Sequence, residues 1–164
     1  MYQGALDLTG NTFNGNQAEN PEGQGGAVRI SAVTSDAAIL GNRFTENEAW
    51  QGGALSMNDS GDPSERSWDA VVSNNIFEAN HALDSGGALH FALDDSGRVW
   101  AKNISRNRFV HNRAGIGGAV VVESNVGTES QILRRYARVL RINRFIFNVA
   151  FIQRTTSRIG VHFD

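Results

Sequence analysis

The chain has 164 residues, of which 40% are hydrophobic, enough for one domain with a core of ordinary size. Fifteen basic and seventeen acidic residues leave a net charge of -2, which gives no field to attract nucleic acid or an anionic membrane surface. The absence of cysteine excludes disulfides and thiolate metal sites, and no apolar run is long enough for a membrane-spanning helix. We therefore expect one domain over residues 1–164, with no nucleic-acid partner and no membrane span.

One eight-residue motif, Asn-x-Phe-x-x-Asn-x-Ala, recurs five times along the chain. An aliphatic residue stands three positions before each copy, and Gly-Gly-Ala-(Val/Leu) follows four of the five copies. Regular repetition of this kind, with a period of about thirty residues, is typical of a stacked repeat protein. The copies begin at Asn11, Asn42, Asn75, Asn107 and Asn143.

Each repeat contains short apolar segments bounded by Asn and Gly, which predict strands. One segment carries the aliphatic residue, a second carries the Phe, and a third follows the glycine pair with alternating apolar positions. We expect two to three strands per repeat. Only residues 131–140 have helical spacing, and their end must also serve as a strand. The third segments are identified by Leu6/Leu8, Val28/Ile30, Leu55/Met57, Leu89/Phe91 and Val120/Val122.

The compact first repeat, residues 5–27, is long enough for one turn of a three-sided coil that rises by about 4.8 Å. The sequence therefore predicts an all-β fold, a right-handed parallel β-helix of about five coils. Equivalent residues of successive coils would then form interior ladders. The predicted Phe ladder is Phe13, Phe44, Phe77, Phe109 and Phe145. One predicted Asn ladder is Asn16, Asn47, Asn80, Asn112 and Asn148, and the five Asn residues that begin the motif form another.

The combination of Gly-Gly-Ala-(Val/Leu) with Phe-x-x-Asn resembles the repeat of the chlamydial polymorphic outer membrane proteins, which also occurs in other bacterial surface proteins and in some eukaryotic ones. The resemblance covers nearly the whole chain. It implies a right-handed parallel β-helix of the pectate-lyase-like superfamily, similar to an autotransporter passenger, that is secreted or displayed at the cell surface and works as an adhesin or surface coat. We expect this chain to be part of a longer solenoid.

Four insertions enter at the same point of the repeat, after the Gly-Gly-Ala strand, so we expect them on one edge of the stack. Seven residues before the next motif stand Trp68, Trp100 and Tyr136, and Lys102 and Arg138 follow two of these rings two positions later. The rings could form a stripe that binds a sugar chain or a partner protein, with cation–π support. Alternatively, they pin the insertions to the flank of the helix. The insertions span residues 31–38, 58–71, 92–103 and 123–139.

Two further features have a local explanation. Trp50, just before Gly52, is interpreted as a packing residue at a corner. The five arginines at the end of the chain could meet an anionic glycan or lipopolysaccharide, or form the solvated side of the last insertion. They are Arg134, Arg135, Arg138, Arg141 and Arg144.

The outward row of the Gly-Gly-Ala strands is the place to look for catalytic residues. It contains no neighbouring carboxylates for acid–base catalysis or calcium binding. The four histidines occupy unrelated repeat positions. We therefore predict no catalytic residues, no metal and no cofactor. The row reads Asp7, Arg29, Ser56, His90 and Val121, and the histidines are His81, His90, His111 and His162.

These features predict a non-enzymatic surface or secreted β-helix segment that acts as a scaffold and adhesive recognition surface, with the insertion face toward glycans or partner surface proteins, including those of a host. One alternative is part of a carbohydrate-active enzyme, a polysaccharide lyase or glycosidase, whose catalytic coils lie outside this chain. A third interpretation is a self-assembling repeat protein, since Gln3 to Leu6 and Arg158 to Val161 read as incomplete repeats that could stack end to end.

Overall fold

The computed structural model describes residues 6–19, 22–31, 37–58, 70–92, 101–123, 140–141, 143–152 and 158–161. The secondary structure of these residues consists of nineteen short strands without a helix. Within the described ranges there is accordingly no helix that could cross a membrane. The fold is all-β, as the repeat pattern predicts.

The strands follow one another in coils along the chain. The first coil has β1 (Leu6–Thr9), β2 (Thr12–Asn14) and β3 (Val28–Ser31). The second has β4 (Ala37–Leu40), β5 (Arg43–Thr45), β6 (Glu48–Gln51) and β7 (Leu55–Asn58). The third has β8 (Ala70–Ser73), β9 (Ile76–Glu78), β10 (His81–Ser85) and β11 (Leu89–Ala92). The fourth has β12 (Ala101–Ser105), β13 (Arg108–Val110), β14 (Arg113–Ile116) and β15 (Val120–Glu123). The last has β16 (Leu140–Arg141), β17 (Arg144–Ile146), β18 (Val149–Ile152) and β19 (Arg158–Val161).

Equivalent strands of successive coils pair in parallel and form four sheets. The first sheet has the order β1-β4-β8-β12-β16, the second β2-β5-β9-β13-β17, the third β6-β10-β14-β18 and the fourth β3-β7-β11-β15-β19. Among the strands that the structure describes, only the pairing of β19 with β15 is antiparallel. Three coils carry a strand in all four sheets with parallel pairing, and the first and last coils are partial. This parallel β-solenoid thus has about three full turns, fewer than the predicted five coils, and four strands per full coil.

The first strand has a different place from the predicted one. Leu6 and Leu8 were assigned to a Gly-Gly-Ala strand, but β1 pairs with β4 in the first sheet, where Leu8 lies opposite Ile39. The alternation of Leu6 and Leu8 fits either strand type. The register follows the aliphatic residue three positions before the motif Asn, and Asp7 therefore lies opposite Ala38, away from Arg29 and Ser56.

The predicted Phe ladder is confirmed in the interior. Neighbouring rings have centroids 4.8 to 4.9 Å apart and planes within 4 to 7° of parallel. This spacing equals the distance between hydrogen-bonded strands, so each ring stacks on the ring of the next coil. Phe44, Phe77 and Phe109 are fully buried, whereas Phe13 and Phe145 at the two ends are partly exposed. Burial of one such ring stabilises the fold by roughly 1.5–3 kcal/mol.

Both predicted Asn ladders are present at the corners. The backbone N–H and the Nδ2 of Asn80 donate to Oδ1 of Asn112, at 3.0 and 2.9 Å. Its Nδ2 also donates to the carbonyl oxygen of Phe44 in the preceding coil, at 3.1 Å. The same pattern repeats along both ladders. Each interior Asn therefore satisfies backbone groups that would otherwise be buried without a partner.

A left-handed backbone precedes the ladder positions and makes the corners sharp. The residue before the Asn has φ between 48 and 70° at every described corner between the first, second and third sheets. Several of these residues are not glycine, although this region is unfavourable for other side chains. The residues are Gly10, Gly41, Asn74 and Arg106 at one corner and Gly15, Glu46, Ala79, His111 and Phe147 at the next.

The glycine pairs have two separate roles at the corner before the fourth sheet. Gly52 has φ 62°, in the left-handed region. Gly53 is needed for space, because a Cβ there would lie 2.2 Å from the carbonyl oxygen of Gly87 in the next coil. The pair therefore combines a turn with a backbone approach that no other residue permits.

Candidate functional site

The predicted insertions all leave the fourth sheet and enter the first. Their described ends are consistent with a single edge of the stack, from Ser31 to Ala37, Asn58 to Ala70, Ala92 to Ala101 and Glu123 to Leu140. Trp68, Trp100, Tyr136 and Arg138 lie outside the described residues. Lys102 belongs to β12, where only its backbone is described. The predicted aromatic stripe therefore stays a prediction.

A different surface carries the exposed apolar side chains of the described residues. Four large hydrophobic residues are exposed, and all lie in the third sheet or at the corner that leads into it. A run of such residues on one side of a protein is a common mark of an interaction site. They are Trp50 (37% exposed), Leu83 (56%), Phe147 (76%) and Val149 (49%).

Trp50 and Leu83 line an open cleft of about 360 Å³ at one end of this surface. Glu19 and Glu48 contribute carboxylates, and the remaining lining residues are Gln17, Ala18 and Ala49. Trp50, interpreted from the sequence as a packing residue at a corner, lies in β6 with its side chain partly open to solvent. Strand β6 alternates, so that Ala49 and Gln51 point inward and Trp50 points to solvent.

Arginines occupy the outer face of the second sheet. Arg108 and Arg144 lie opposite each other on adjacent coils and are both exposed. Arg43, in the same row, forms an ion pair with Glu78 at the surface. Of the predicted basic cluster, Arg134, Arg135 and Arg138 lie outside the described residues, and only the backbone of Arg141 is described.

The fourth sheet holds a buried polar group that the sequence does not predict. Ser56, His90 and Val121 share one row, as predicted, but they are buried, with exposures of 0, 1 and 0%. The alternate residues Leu55, Leu89 and Val120 belong to the hydrophobic core, so this row lies on the outward side of the strands, as predicted, but is shielded from solvent. Glu123 on β15 also reaches His90, with its Oε2 3.3 Å from Nε2. Glu123 lies two positions outside the row, so the row itself holds no pair of neighbouring carboxylates.

The hydroxyl, imidazole and carboxylate of this group resemble a nucleophile, base and acid. His90 Nδ1 lies 3.3 Å from Ser56 Oγ, on the side opposite Glu123. A nucleophile has to reach its substrate, however, and Ser56 is fully enclosed. Its hydroxyl also donates a hydrogen bond to Oδ1 of Asn58, at 3.3 Å. The arrangement is therefore that of an internal polar network.

The network continues through amide side chains along the corner of the third and fourth sheets. Asn58 Nδ2 donates to Gln24, whose Nε2 donates to Oε1 of Gln51 at 3.0 Å. Gln51 Nε2 then donates to Oδ2 of Asp84 at 3.1 Å. Gln24 and Gln51 are equivalent residues of adjacent coils, whereas Asn58 and Asp84 occupy other repeat positions. A search restricted to equivalent positions therefore finds only part of the network.

The described residues contain no group of three or more His, Asp or Glu side chains placed to hold a metal ion. The stacked parallel strands and the buried Asn ladder define a β-solenoid of the parallel β-helix class. Comparisons with protein-family models, with curated proteins and with solved structures give no match.

Proposed function

We propose that this chain is a non-enzymatic segment of a secreted or cell-surface β-helix protein that serves as a rigid scaffold and recognises carbohydrate. The finer assignment to a right-handed helix of the pectate-lyase-like superfamily, with repeats of the chlamydial polymorphic outer membrane protein type, is part of this proposal. It is based on the resemblance of the Gly-Gly-Ala-(Val/Leu) and Phe-x-x-Asn motifs.

The cleft at Trp50 is the observation that carries the recognition function. The apolar C–H face of a sugar ring suits an exposed indole, and its hydroxyl groups suit carboxylates and amides at the rim. Trp50 supplies the ring, while Gln17, Glu19 and Glu48 supply polar groups. A site with one aromatic platform and a few polar side chains matches the composition of saccharide-binding surfaces better than that of a dry protein interface.

The charge of the cleft limits the classes of sugar that it can bind. Its described lining contains Glu19 and Glu48 and no basic residue, and Nδ1 of His81 lies 3.7 Å from Oε1 of Glu48. Uronic or sulfated sugars would face two carboxylates, which repel them. We therefore propose neutral or amino sugars as ligands of this cleft.

The scaffold supports this role because it fixes the cleft on strands. Trp50 lies in β6, and the adjacent Ala49 and Gln51 are buried. The backbone N–H of Trp50 donates to the carbonyl oxygen of Gly23, at 2.9 Å. A binding surface held in this way loses little conformational freedom when a ligand binds.

A glycan array of neutral, amino and acidic sugars tests the proposal. The wild-type chain should bind neutral or amino sugars, and Trp50→Ala should lose at least about tenfold in affinity, near the value of one stacking contact. Phe147→Ala is the matched control, because it removes an exposed ring outside the cleft. A Trp68→Ala/Trp100→Ala double variant tests the insertions separately. Absence of binding by the wild type, or equal binding by Trp50→Ala, would contradict a carbohydrate site at the cleft.

Assembly through the coil ends is a second candidate function, supported by the ladders. Asn47 and Asn80 are completely buried, whereas Asn16 is exposed, and no described residue donates to its Oδ1. An added coil would supply donors to this oxygen. Sedimentation velocity over a range of concentrations should then show end-to-end oligomers, and Asn16→Ala, which removes the acceptor oxygen, should weaken them. A monomer at all concentrations would contradict this function.

A further inference from the structure

We propose that an exposed aromatic ring and the arginines around it form a second saccharide site, which binds an acidic sugar that carries a carboxylate. The site lies at the corner between the second and third sheets, on the fourth and last coils. It is separate from the cleft at Trp50 and extends the proposed recognition of carbohydrate to acidic sugars. We call it the Phe147 site, and its residues are Phe147, His111, Arg108, Arg113 and Arg144.

Phe147 presents an aromatic ring to solvent at this corner. The residue is 76% exposed, and its ring meets the edge of His111, the equivalent residue of the fourth coil. The two ring centroids are 5.5 Å apart, with an angle of 64° between the planes. Val149, which is 49% exposed, extends the apolar surface onto the third sheet. A ring that is open in this way suits the apolar C–H face of a sugar.

The backbone at Phe147 indicates that the ring does not serve stability. Its φ of 48° is in the left-handed region, which is unfavourable for a bulky side chain. The equivalent residue of the first coil is Gly15, with φ 65°, for which this region carries no penalty. Because the ring of Phe147 is mostly exposed, its burial offsets little of the strain. An exposed aromatic residue with a strained backbone is typical of a functional position.

Three exposed arginines lie around the ring. Arg108 and Arg144 are opposite each other at the start of β13 and β17. Arg144 stands three residues before Phe147, so their Cα atoms are at most about 10 Å apart. Arg113 begins β14, two residues after His111, on the other side of the corner. The ring therefore has guanidinium groups on both the second and the third sheet.

The charges of these arginines are not neutralised by the described residues, among which none forms an ion pair with them. Glu78, which lies opposite Val110 on the preceding coil, is paired with Arg43. Like charges directly opposite each other on adjacent strands are unfavourable, as at Arg108 and Arg144. An anion bound between them would relieve this repulsion. A guanidinium group can donate two parallel hydrogen bonds to one carboxylate, which makes this anion a good partner.

The combination of a ring with guanidinium groups favours an acidic sugar over other anions. A small inorganic anion has no apolar face to place on Phe147. A nucleic acid or an anionic lipid surface requires a broad positive field, whereas the whole chain has a net charge of -2. A uronic acid carries both an apolar ring face and a carboxylate, and it is therefore complementary to both parts of the Phe147 site.

The first test is calorimetric titration with a glucuronic acid oligomer and with a glucose oligomer of the same linkage and length. The Trp50→Ala chain should bind the glucuronic acid oligomer as tightly as the wild type does, and it should not bind the glucose oligomer. This expectation holds whether or not the cleft binds sugar, so the two sites are judged separately. Equal affinity of Trp50→Ala for both oligomers, or no binding of the glucuronic acid oligomer, would overturn the proposal. Equal or tighter binding to single-stranded DNA or to phosphatidylglycerol vesicles would also overturn it.

The second test locates the binding on the surface. Arg144→Gln and Phe147→Ala should each weaken binding of the glucuronic acid oligomer by roughly tenfold, through loss of a charged hydrogen bond or of a stacking contact. Arg144→Lys should restore only part of the affinity, since it keeps the charge and loses the paired donors. Arg43→Gln is the matched control, because this arginine of the same row is already paired with Glu78. Circular dichroism verifies that each variant is folded, and equal affinities of Arg144→Gln and Arg43→Gln would overturn the proposal.

Discussion

The Oδ1 atom of Asn112 accepts two hydrogen bonds from Asn80, one from its backbone N–H at 3.0 Å and one from its Nδ2 at 2.9 Å. Asn112 is completely buried, and it repeats the same arrangement with Asn148 in the next coil. The side chain thus supplies the acceptor for the backbone N–H of the ladder residue at a corner, while the Asn80 carbonyl oxygen accepts from the backbone N–H of Arg113 in the next coil. An acid, a smaller residue or an apolar one cannot supply both a donor and two acceptor sites.

Replacement of an interior ladder residue should be costly. Asn80→Ala removes the acceptor of the Asn47 N–H and the donor to the Phe44 carbonyl. Both groups are buried, and we expect a loss of about 2–4 kcal/mol, the penalty for one or two unsatisfied groups. Chemical denaturation measures it. Asn16→Ala, at the exposed end of the ladder, should cost less than about 1 kcal/mol. Similar losses of stability in Asn80→Ala and Asn16→Ala would contradict the conclusion that burial makes the interior hydrogen bonds more costly to lose.

The Phe ladder gives a second test. Phe77→Ala removes a ring that is fully buried between Phe44 and Phe109, with centroids 4.8 and 4.9 Å away. We expect destabilisation by about 3–5 kcal/mol, because the flanking rings cannot close the cavity without parting two coils. Thermal unfolding of Phe147→Ala provides the control, as that ring is exposed. A loss below roughly 1 kcal/mol for Phe77→Ala would be incompatible with central stacking.

The repeated parts of this fold are predictable from the sequence because each inference is made five times. Phe77 and Asn80 occupy positions that recur in every copy, so their stacking follows from the period alone. The place of the strand Leu6–Thr9 cannot be predicted in this way. Its alternating leucines satisfy two strand types, and pairing with β4 resolves the ambiguity.

The candidate sites are less predictable, since they depend on residues that do not repeat. Trp50 is interpreted from the sequence as a packing residue because it stands at a corner before the glycine pair, whereas in the structure it alternates with buried Ala49 and Gln51 on β6. The contact of Glu123 with His90 joins residues two positions out of register, because Val121 is the strand partner of His90. A row-by-row reading of the sheet cannot find such a diagonal contact.

At corners with a left-handed backbone, we expect two small substitutions to change the stability in opposite directions. Gly41 has φ 63°, and a Cβ there would meet no atom within 4 Å. Gly41→Ala should therefore destabilise by about 1 kcal/mol through backbone strain alone. Ala79 has φ 55° at the next corner, and Ala79→Gly should stabilise by a few tenths to about 1 kcal/mol. Denaturant midpoints measure both changes. A shift of the same sign in the two variants would refute the strain argument.

The same Gly→Ala change should be far more damaging at Gly53, for a steric reason. A Cβ at this position would lie 2.2 Å from the carbonyl oxygen of Gly87 and 2.5 Å from that of His81. Both atoms belong to the backbone of the next coil, which cannot rotate away as a side chain would. The two coils would have to separate, disturbing the stacks on either side.

We therefore expect Gly53→Ala to cost more than about 3 kcal/mol, beyond the usual range for one added methyl group in a core. The contrast with Gly41→Ala separates backbone strain from lack of space, since the substitution is identical and only the surroundings differ. Chemical denaturation of the two variants, with circular dichroism to detect loss of strand content, makes the comparison. If Gly53→Ala were as mild as Gly41→Ala, the glycine pair would serve the turn alone. The close approach of the coils would then not explain why the second glycine of the pair recurs.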